Sequence, residues 1–344
     1  MQLKIGDLFA SPDHYLHAFE GDHAVFLDMD RAAYQRSIFV DGRIQPASKR
    51  MLRVPVAPLI ALSEQRRTEA PDPGWIFHVA HCGSTLLARA LDRPGLSLSI
   101  REPTPLRQLG VEAAGEGPVG ADWPARLRLT RDLLGRRYAG DEAVVVKANV
   151  PVNAILPELT EGRSGVRAVA LYFPLQSYLA AVLRSPNHRR WVDSVTGEMS
   201  GVIGPELAGL ARPTTAQRAA ALWLVQMRAF DRLLTVCPGA FSLDADTLFD
   251  TPRESVAAAA DLFGAPFEQE ALDAIVQGPL FARYSKNPDV AFTNADRTAR
   301  RAGILDSIAD DLREARCLIE GRLAAAPLPD RVARPLWGEA PPLL

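Results

Sequence analysis

Little in this sequence points to a membrane, to nucleic acid or to secretion. No apolar run approaches the roughly 20 residues that a membrane-spanning helix needs. Residues 1–30 lack the charged start and apolar core of a signal peptide. The formal net charge is only −2, so the bulk basicity typical of nucleic-acid binding is missing. We therefore expect a soluble, cytoplasmic protein of the bacterial type that binds neither membrane nor nucleic acid.

Cysteine is scarce as well. The three cysteines are odd in number and widely spaced, at Cys82, Cys237 and Cys317. This excludes a disulfide framework and suits a reducing compartment. His78 and His81 precede Cys82, but a strand residue such as His78 is expected to point away from the loop, and no further ligand is near in sequence. We expect no metal.

What the chain does contain is a regular alternation of apolar strands and helices from Trp75 onward. With 344 residues, 47% of them hydrophobic, it can bury a large core. The alternation predicts an α/β fold: three α/β/α layers around a mainly parallel sheet. We divide the chain into a small β-containing accessory extension packed on the core (1–70), the core domain (71–325) and a Pro-rich C-terminal tail (326–344).

One stretch of the core carries the strongest signal. An apolar strand from Trp75 to Ala80 is followed by a small-residue turn, His81 to Thr85, and then by apolar residues at helical spacing. Strand, tight turn and helix in this order direct backbone N–H groups and a positive helix end at one point. That arrangement predicts a binding site for an anion such as phosphate.

Residue counting separates the known phosphate loops. The Walker A pattern needs a Lys after its second Gly, and here one Gly is present and no Lys follows. The Cys-dependent phosphatase loop needs His-Cys, five residues and Arg. His81-Cys82 begins that pattern, but Arg89 arrives one residue late, about 100° around a helix. A low-pKa Cys82 at a helix start stays open as an alternative.

The loop resembles the 5′-phosphosulfate-binding loop of sulfotransferases, in which a strand leads through a Ser-Gly-Thr segment into a helix. The matching residues here are His81, Cys82, Gly83, Ser84, Thr85 and Leu86. The resemblance covers roughly residues 75–303 and implies a P-loop NTPase/sulfotransferase-like fold. It also implies 3′-phosphoadenosine 5′-phosphosulfate as co-substrate, which has no terminal phosphates for a Walker Lys and needs no Mg²⁺ bridge.

Two charged residues follow strands of this core. Glu102 comes directly after Leu96 to Ile100, and Lys147 ends the strand that begins at Ala143. Ligands of open α/β sheets bind at this carboxyl edge. The resemblance implies Glu102 as the general base toward the acceptor, with Lys147 and His81 stabilising charge on the transferring group. A surface Glu102 that merely begins a loop is the alternative.

The family's 3′-phosphate motif is incomplete. When Pro174 is set on the motif's Pro, Tyr172 stands where Arg belongs and Ala180 where Ser belongs. Neither side chain can hold a phosphate dianion. Nearby Ser177, Arg184 and Ser185 are possible substitutes. Arg297, Arg300 and Arg301 are candidate clamps, since Arg301-Ala302-Gly303 weakly resembles the family's C-terminal Arg-Lys-Gly.

The remaining segments show no chemistry of their own. In the first 70 residues we expect β-like runs at Ala24–Leu27 and Ser37–Val40, a hairpin-type turn at Asp41-Gly42 and a helix at 56–67. Residues 186–213 are polar and irregular and are interpreted as a substrate-side insertion or a mobile loop. The tail is expected to be ordered only where it docks.

The sequence thus favours a sulfotransferase-like enzyme that acts on a hydroxyl or amine of a small-molecule, carbohydrate or peptide acceptor. Two classes remain as alternatives: another P-loop group-transfer enzyme or Cys-dependent phosphatase, and a non-catalytic protein that binds a phosphate ligand. Nothing in the sequence selects the acceptor or an oligomeric state.

Overall fold

The computed structural model describes residues 4–66, 72–284, 287–291 and 293–344. It places a small antiparallel sheet, order β1-β2-β3, before the core. The elements of this N-terminal part are a 3₁₀ turn Ile5–Phe9, β1 His14–Glu20, β2 His23–Asp28, α1 Arg31–Arg36, β3 Met51–Pro55 and α2 Val56–Gln65.

The core is a five-stranded, all-parallel sheet flanked by helices, so the predicted α/β fold class is confirmed. The strands are β4 Gly74–His78, β5 Ser97–Arg101, β6 Ala143–Lys147, β7 Ala168–Tyr172 and β8 Ala240–Asp244, in the order β5-β6-β4-β7-β8. Every residue of β4, β5 and β7 is buried. Continuous burial of this kind is typical of parallel strands that are covered on both faces.

Helices connect these strands and follow the last of them. Those up to β8 are α3 Ser84–Ala90, α4 Thr104–Ala114, α5 Trp123–Leu134, a 3₁₀ segment Val150–Ile155, α6 Leu156–Thr160, α7 Leu175–Leu183, α8 Pro186–Glu198, α9 Ser200–Leu207 and α10 Thr215–Val236. After β8 come α11 Ala245–Asp250, α12 Pro252–Phe263, α13 Gln269–Gln277, α14 Pro279–Ala282, β9 Arg283–Tyr284, β10 Asn287–Ala291, α15 Asn294–Ser307 and α16 Ala309–Ala325.

The longest helix, α10, follows its sequence signals closely. Thr214 accepts from the Gln217 N–H, and the Gln217 side chain accepts from the Thr214 N–H, which completes a capping box at the start. Trp223 and Leu224 are fully buried. The Trp223 indole donates to the Phe173 carbonyl over 2.9 Å, which ties α10 to the carboxyl end of β7.

The prediction of an irregular loop over 186–213 was wrong. Most of that segment forms α8 and α9. Pro186 is the first residue of α8, where a missing N–H costs nothing, and the Ser185 side chain accepts from the His188 N–H as the cap. The same residues suggest a loop when the proline is taken only as a helix breaker.

The N-terminal part also differs in detail from expectation. The strand over Ala24–Leu27 is confirmed within β2, and α2 accounts for the described part of the predicted helix, whose last residue lies outside the described residues. Ser37–Val40 forms no strand, and Asp41-Gly42 is a turn that joins no pair of strands. This stretch is instead fastened to the core, because the Val40 N–H donates to the Arg101 carbonyl over 2.8 Å.

One buried cation strengthens that attachment. Arg101, at the end of β5, is 1% exposed and pairs with Asp92 over 3.0 Å. Its guanidinium also donates to the carbonyls of Tyr34, Ser37 and Ile38. The N-terminal segment is therefore held directly against the carboxyl end of the sheet, although the division of the chain into domains stays a prediction.

The C-terminal tail docks on the edge strand. Ser242 of β8 donates its N–H to the Arg334 carbonyl over 2.9 Å and accepts from the Leu336 N–H over 2.7 Å. The Leu343 carbonyl accepts from the Leu175 N–H at the start of α7 over 2.9 Å. Pairing of this kind covers backbone groups that an edge strand would otherwise expose.

Candidate functional site

The loop between β4 and α3 has an unusual backbone. Ala80, His81 and Gly83 have φ angles of 74°, 53° and 83°. Left-handed residues next to right-handed ones turn successive N–H groups toward one concave point, which favours an anion. The first N–H groups of α3 have no acceptor within the helix and lie at the same place.

Gly83 is required for two independent reasons. Its φ of 83° is strained for any residue with a side chain. A Cβ at this position would also stand 2.9 Å from the Phe249 ring and 3.3 Å from Leu248. The loop therefore lies directly against α11, so the sequence can place only glycine here.

His78 supports the loop, contrary to the expectation that it points elsewhere. Its Nδ1 accepts from the Ala80 N–H over 3.0 Å, so Nε2 carries the proton and donates to the Ala148 carbonyl over 2.9 Å. Asn153 donates to the His78 carbonyl over 3.1 Å. The imidazole thus links β4, its own loop and the segment after β6.

Glu102 and Lys147 meet at the carboxyl ends of β5 and β6. The Lys147 ammonium donates to Oε1 of Glu102, and the Glu102 N–H donates to the Lys147 carbonyl over 2.8 Å. The Lys147 side chain is 1% exposed, whereas that of Glu102 is 17% exposed. A carboxylate thus reaches the surface of a cavity while its cation is buried behind it.

A pocket of about 600 Å³ opens beside the loop and this pair. Its wall includes Ala80, His81 and Glu102. Among the described residues, four other than glycine have positive φ, and these are three of them; the Glu102 φ is 59°. Such residues cost about 1–3 kcal/mol each and concentrate at functional sites, so their convergence on one cavity marks it as the candidate active site.

Two side chains of this pocket come from the N-terminal segment, in which the sequence showed no chemistry. Phe39 is buried, and the Arg43 guanidinium stacks 3.9 Å from its ring centre. Arg43 lies 3.6 Å from Oε2 of Glu102 and is also bound by Asp41 over 2.5 Å. Although burial opposes it, hydrogen bonding by Arg43 lowers the pKa of Asp41 below its usual value.

Helix α8 forms another wall of the pocket, so this segment lies beside the candidate site although it is a helix and not a loop. The His81 ring lies 4.7 Å from the His188 ring and 5.1 Å, edge to face, from Trp191. Arg184 donates to Nε2 of His188 over 3.0 Å. Arg184 therefore contacts this wall of the pocket through His188.

Arg107 and Glu198 complete the charged lining. They form an ion pair with each other, which joins α4 to α8 within the lining of the pocket. Neither was singled out from the sequence, because each lies in an ordinary amphipathic helix and only the packing of the two helices brings them together.

A second polar group lies next to the loop, on the helices that follow the carboxyl ends of β7 and β8 and on α15. Its members, here called the Asp246 cluster, are Ser177, Asp246, Arg297 and Arg301. Arg301 donates to Oδ2 of Asp246 over 2.9 Å and to the Ser177 hydroxyl. Arg297 donates to the other carboxylate oxygen, Oδ1, and stacks 4.4 Å from the Phe249 ring. Phe249 is the same ring that lies against Gly83, so the cluster adjoins the loop.

The arginines of α15 are not equivalent. Arg297 and Arg301 belong to the Asp246 cluster, whereas Arg300 is exposed. A carboxylate also compensates the arginine-rich start of α15, since Asp296 forms a capping box with Thr293. Of the three predicted clamps the structure therefore brings two together with Ser177.

Tyr172 and Asp244 are neighbours in the register of β7 and β8. Among the described residues, the Tyr172 hydroxyl and Oδ1 of Asp244 are buried without a hydrogen-bond partner. Burial, opposed by hydrogen bonds from Thr247, raises the pKa of Asp244 to about 6. Burial likewise raises the pKa of Tyr172, with the Asp244 charge as a further cause. Ala180 is buried within α7, so the family's Arg and Ser positions hold core residues here.

The phosphatase alternative finds little support in the geometry. Cys82 is fully buried, and its thiol lies 3.7 Å from the Leu171 carbonyl of β7. Arg89 stands in the last turn of α3, at the end away from the loop. A nucleophile that faces a strand and an arginine one helix length away cannot share one phosphate.

The described residues hold no group of three or more His, Cys, Asp or Glu arranged to bind a metal ion. None of the helices in the described part of the chain is both long and apolar enough for a bilayer crossing.

No protein-family model matches this sequence, and no curated protein matches it either. A solved structure that the chain resembles is a sulfotransferase domain from the curacin biosynthetic pathway. The identity is 16%, the TM-score is 0.40, and the match covers 64% of this chain and 83% of that one. A similarity of that size carries no functional weight, so the case for a function rests on the residues described above.

Proposed function

We propose that this chain is a sulfotransferase-like enzyme. It transfers a sulfuryl group from 3′-phosphoadenosine 5′-phosphosulfate to a hydroxyl or amine of an acceptor held in the 600 Å³ pocket. The observation that carries the proposal is the convergence of the strained loop and the strained Glu102 on that one cavity. Backbone strain of this kind persists only where the surrounding structure enforces it.

The acceptor side is formed by Glu102 and its buried partner. Glu102 takes the proton of the acceptor hydroxyl or amine, because it is the carboxylate in the pocket wall next to the loop. Lys147 orients that carboxylate through its hydrogen bond and brings a positive charge to the carboxyl edge of the sheet. His81, on the loop itself, is a candidate hydrogen-bond donor to the sulfuryl oxygens.

The donor side is formed by the loop and the start of α3. Ser84 and Thr85 are buried at the first helical positions. No described residue hydrogen-bonds Oγ1 of Thr85, so a buried hydroxyl remains available beside the N–H groups of the loop. A buried polar atom without a partner is costly, and a phosphate oxygen would satisfy it. The residues present therefore fit a phosphosulfate.

The Asp246 cluster is the candidate for the nucleotide's second phosphate. Ser177, Arg297 and Arg301 supply one hydroxyl and two guanidinium groups next to the loop, and none of the three belongs to the lining of the acceptor pocket. They stand in for the family's missing Arg and Ser at Tyr172 and Ala180. Arginine suits the role because its planar fork matches phosphate oxygens.

In the proposed reaction the acceptor oxygen or nitrogen forms a bond to sulfur while the bond from sulfur to the phosphate oxygen breaks. The electron pair of the broken bond stays on the phosphate, and the acceptor's proton passes to Glu102. Positioning and electrostatic stabilisation of the charge that develops supply the acceleration.

A second candidate is a non-catalytic protein that binds a phosphate ligand at the same loop. The left-handed loop and the buried Thr85 hydroxyl favour it equally, since neither requires turnover. The two candidates differ in whether the bound phosphosulfate is consumed.

One experiment tests both. Thermal unfolding is followed with adenosine 3′,5′-bisphosphate, its phosphosulfate form, ATP, GTP and inorganic phosphate. A ligand at 100 times its Kd should stabilise the fold by about 2.7 kcal/mol. We expect the two 3′-phosphorylated nucleotides to stabilise most, and the phosphosulfate to be converted slowly to the bisphosphate when acceptors are added. Preference for ATP or GTP would overturn the proposal, and binding without conversion would favour the second candidate.

The variant Cys82→Ser distinguishes both candidates, the sulfotransferase-like enzyme and the non-catalytic binding protein, from a Cys-dependent phosphatase. Because the thiol is buried against β7, the variant should bind nucleotide and turn over as the wild type does. Cys317→Ser, at an exposed thiol, is the matched control. Loss of turnover in Cys82→Ser alone, with nucleotide binding kept, would instead mark Cys82 as a nucleophile.

A further inference from the structure

Asn149 is a buried polar residue of the pocket wall for which the proposed reaction gives no role. It is 7% exposed and lies two residues beyond Lys147, at the carboxyl end of β6. It precedes the 3₁₀ segment Val150–Ile155, but its side chain does not cap that segment. Among the described residues, none donates a hydrogen bond to Oδ1 of Asn149.

A buried carbonyl oxygen without a donor costs about 1–3 kcal/mol, so its presence in a cavity wall indicates a ligand that brings the donor. The position of Asn149 identifies where that donor would lie. β5 and β6 are adjacent parallel strands with Arg101 opposite Lys147, so Glu102 and Asn149 follow neighbouring strand ends. Such strands are about 4.8 Å apart, which places both side chains within reach of one small molecule.

The charges of the pocket point to a neutral ligand. Two arginines and two glutamates line it, and each has an opposite partner: Arg107 pairs with Glu198, and Glu102 is paired by Lys147 and approached by Arg43. No excess of either sign is left to offset the desolvation of a charged acceptor. Phe39, Val150 and Trp191 add apolar surface to the same wall.

From these observations we infer that the acceptor is a neutral polyhydroxyl compound of the sugar or cyclic polyol class. One hydroxyl faces Glu102, and a neighbouring hydroxyl donates to Oδ1 of Asn149. The apolar wall packs against the C–H face of the ring. The inference rests on the proposed function for the role of Glu102 but not for the binding of the second hydroxyl. Asn149 is thereby a specificity-determining residue.

Matched probes test this directly. Affinities of cyclohexanol, 1,2-cyclohexanediol and methyl β-D-glucopyranoside are measured by ligand-observed NMR, on the protein alone and with adenosine 3′,5′-bisphosphate. Satisfying the buried oxygen should make the diol bind about 5- to 150-fold more tightly than the mono-ol. Asn149→Leu should abolish that preference by weakening the diol while leaving the mono-ol unchanged.

Asn149→Asp keeps an acceptor oxygen and should retain the preference for the diol. This second variant keeps the test informative if Asn149→Leu folds poorly. Thermal unfolding of both variants checks the fold. Equal affinity of wild type for diol and mono-ol, or equal weakening of both probes in a folded Asn149→Leu, would overturn the inference. Failure of the bisphosphate to bind would overturn the proposed function instead, because the probe affinities are measured without it as well.

Discussion

Glu102 and Lys147 are separated by 45 residues in the chain, yet the Lys147 ammonium donates to the Glu102 carboxylate. The Glu102 backbone is left-handed, with a φ of 59°, and its N–H donates to the carbonyl of the same lysine. The pair therefore has a backbone and a side-chain connection. Two features place the Glu102 carboxylate at the cavity: the left-handed backbone of Glu102 after β5, and the buried Lys147 ammonium at the end of β6.

Glu102→Gln should reduce turnover by about 10²–10⁴ while nucleotide affinity is kept, because Gln cannot take a proton from the acceptor. The same change removes the carboxylate to which the buried Lys147 ammonium donates, which should lower the free energy of unfolding by up to about 3–5 kcal/mol. Rates and denaturant unfolding are measured together. The double variant Glu102→Gln with Lys147→Met should recover stability but not turnover, and a rate close to wild type in either variant would contradict the assigned base.

Gly83→Ala should lower the free energy of unfolding and abolish anion binding, because the new Cβ both adopts a strained φ of 83° and stands 2.9 Å from the Phe249 ring. Gly162→Ala is a matched control, since its φ is 67° and no atom lies within 4 Å of the added Cβ. Each change costs about 1–2 kcal/mol of backbone strain. The loss of stability in Gly83→Ala beyond the loss in Gly162→Ala, measured by urea unfolding, reports the contact with α11. Equal costs at both sites, with nucleotide binding intact, would show that the close approach is unimportant.

Arg301→Met should weaken binding of adenosine 3′,5′-bisphosphate by about 10- to 150-fold, the value of a hydrogen bond to a charged group. Adenosine 5′-monophosphate, which lacks the 3′-phosphate, should be affected far less. Arg313→Met is the control, since Arg313 is an exposed arginine of α16 that pairs with Asp310. Calorimetry gives both affinities, and equal losses for the two nucleotides would remove the Asp246 cluster from the 3′-phosphate site.

Because the pKa of Asp244 is raised in the folded chain, we expect the stability of the fold to depend on pH. Burial raises the pKa of Asp244 in the folded chain from 3.8 to about 6, so the folded state binds the proton more tightly than the unfolded state. This contribution to stability is full below pH 3.8 and is lost as the pH rises through 6. Asp244→Asn removes it. Between pH 4 and 7 the wild type should lose about 2.4 kcal/mol relative to the variant, which urea unfolding at several pH values measures. A difference independent of pH would show that Asp244 does not titrate in this range.

The core of the fold could be predicted from the sequence because the patterns that mark its strands and helices are local. Continuous apolar runs mark β4 and β7, and a capping box marks α10. Helix α8 was missed although its signals were present, since Pro186 both breaks a preceding helix and begins the next. The deciding cue was the Ser185 cap, which is visible in the sequence once Pro186 is taken as a first helical residue.

The chain by itself determined the strand, the tight turn and the helix that form the loop, and it placed Glu102 and Lys147 at strand ends. Each of these depends on neighbours within a few residues. Only the tertiary structure decided what shares the cavity with them: Arg43 from the N-terminal segment, Trp191 from α8 and the unused oxygen of Asn149. Burial and contact between distant segments are properties of packing, and no local pattern encodes which helix face will cover a given strand end.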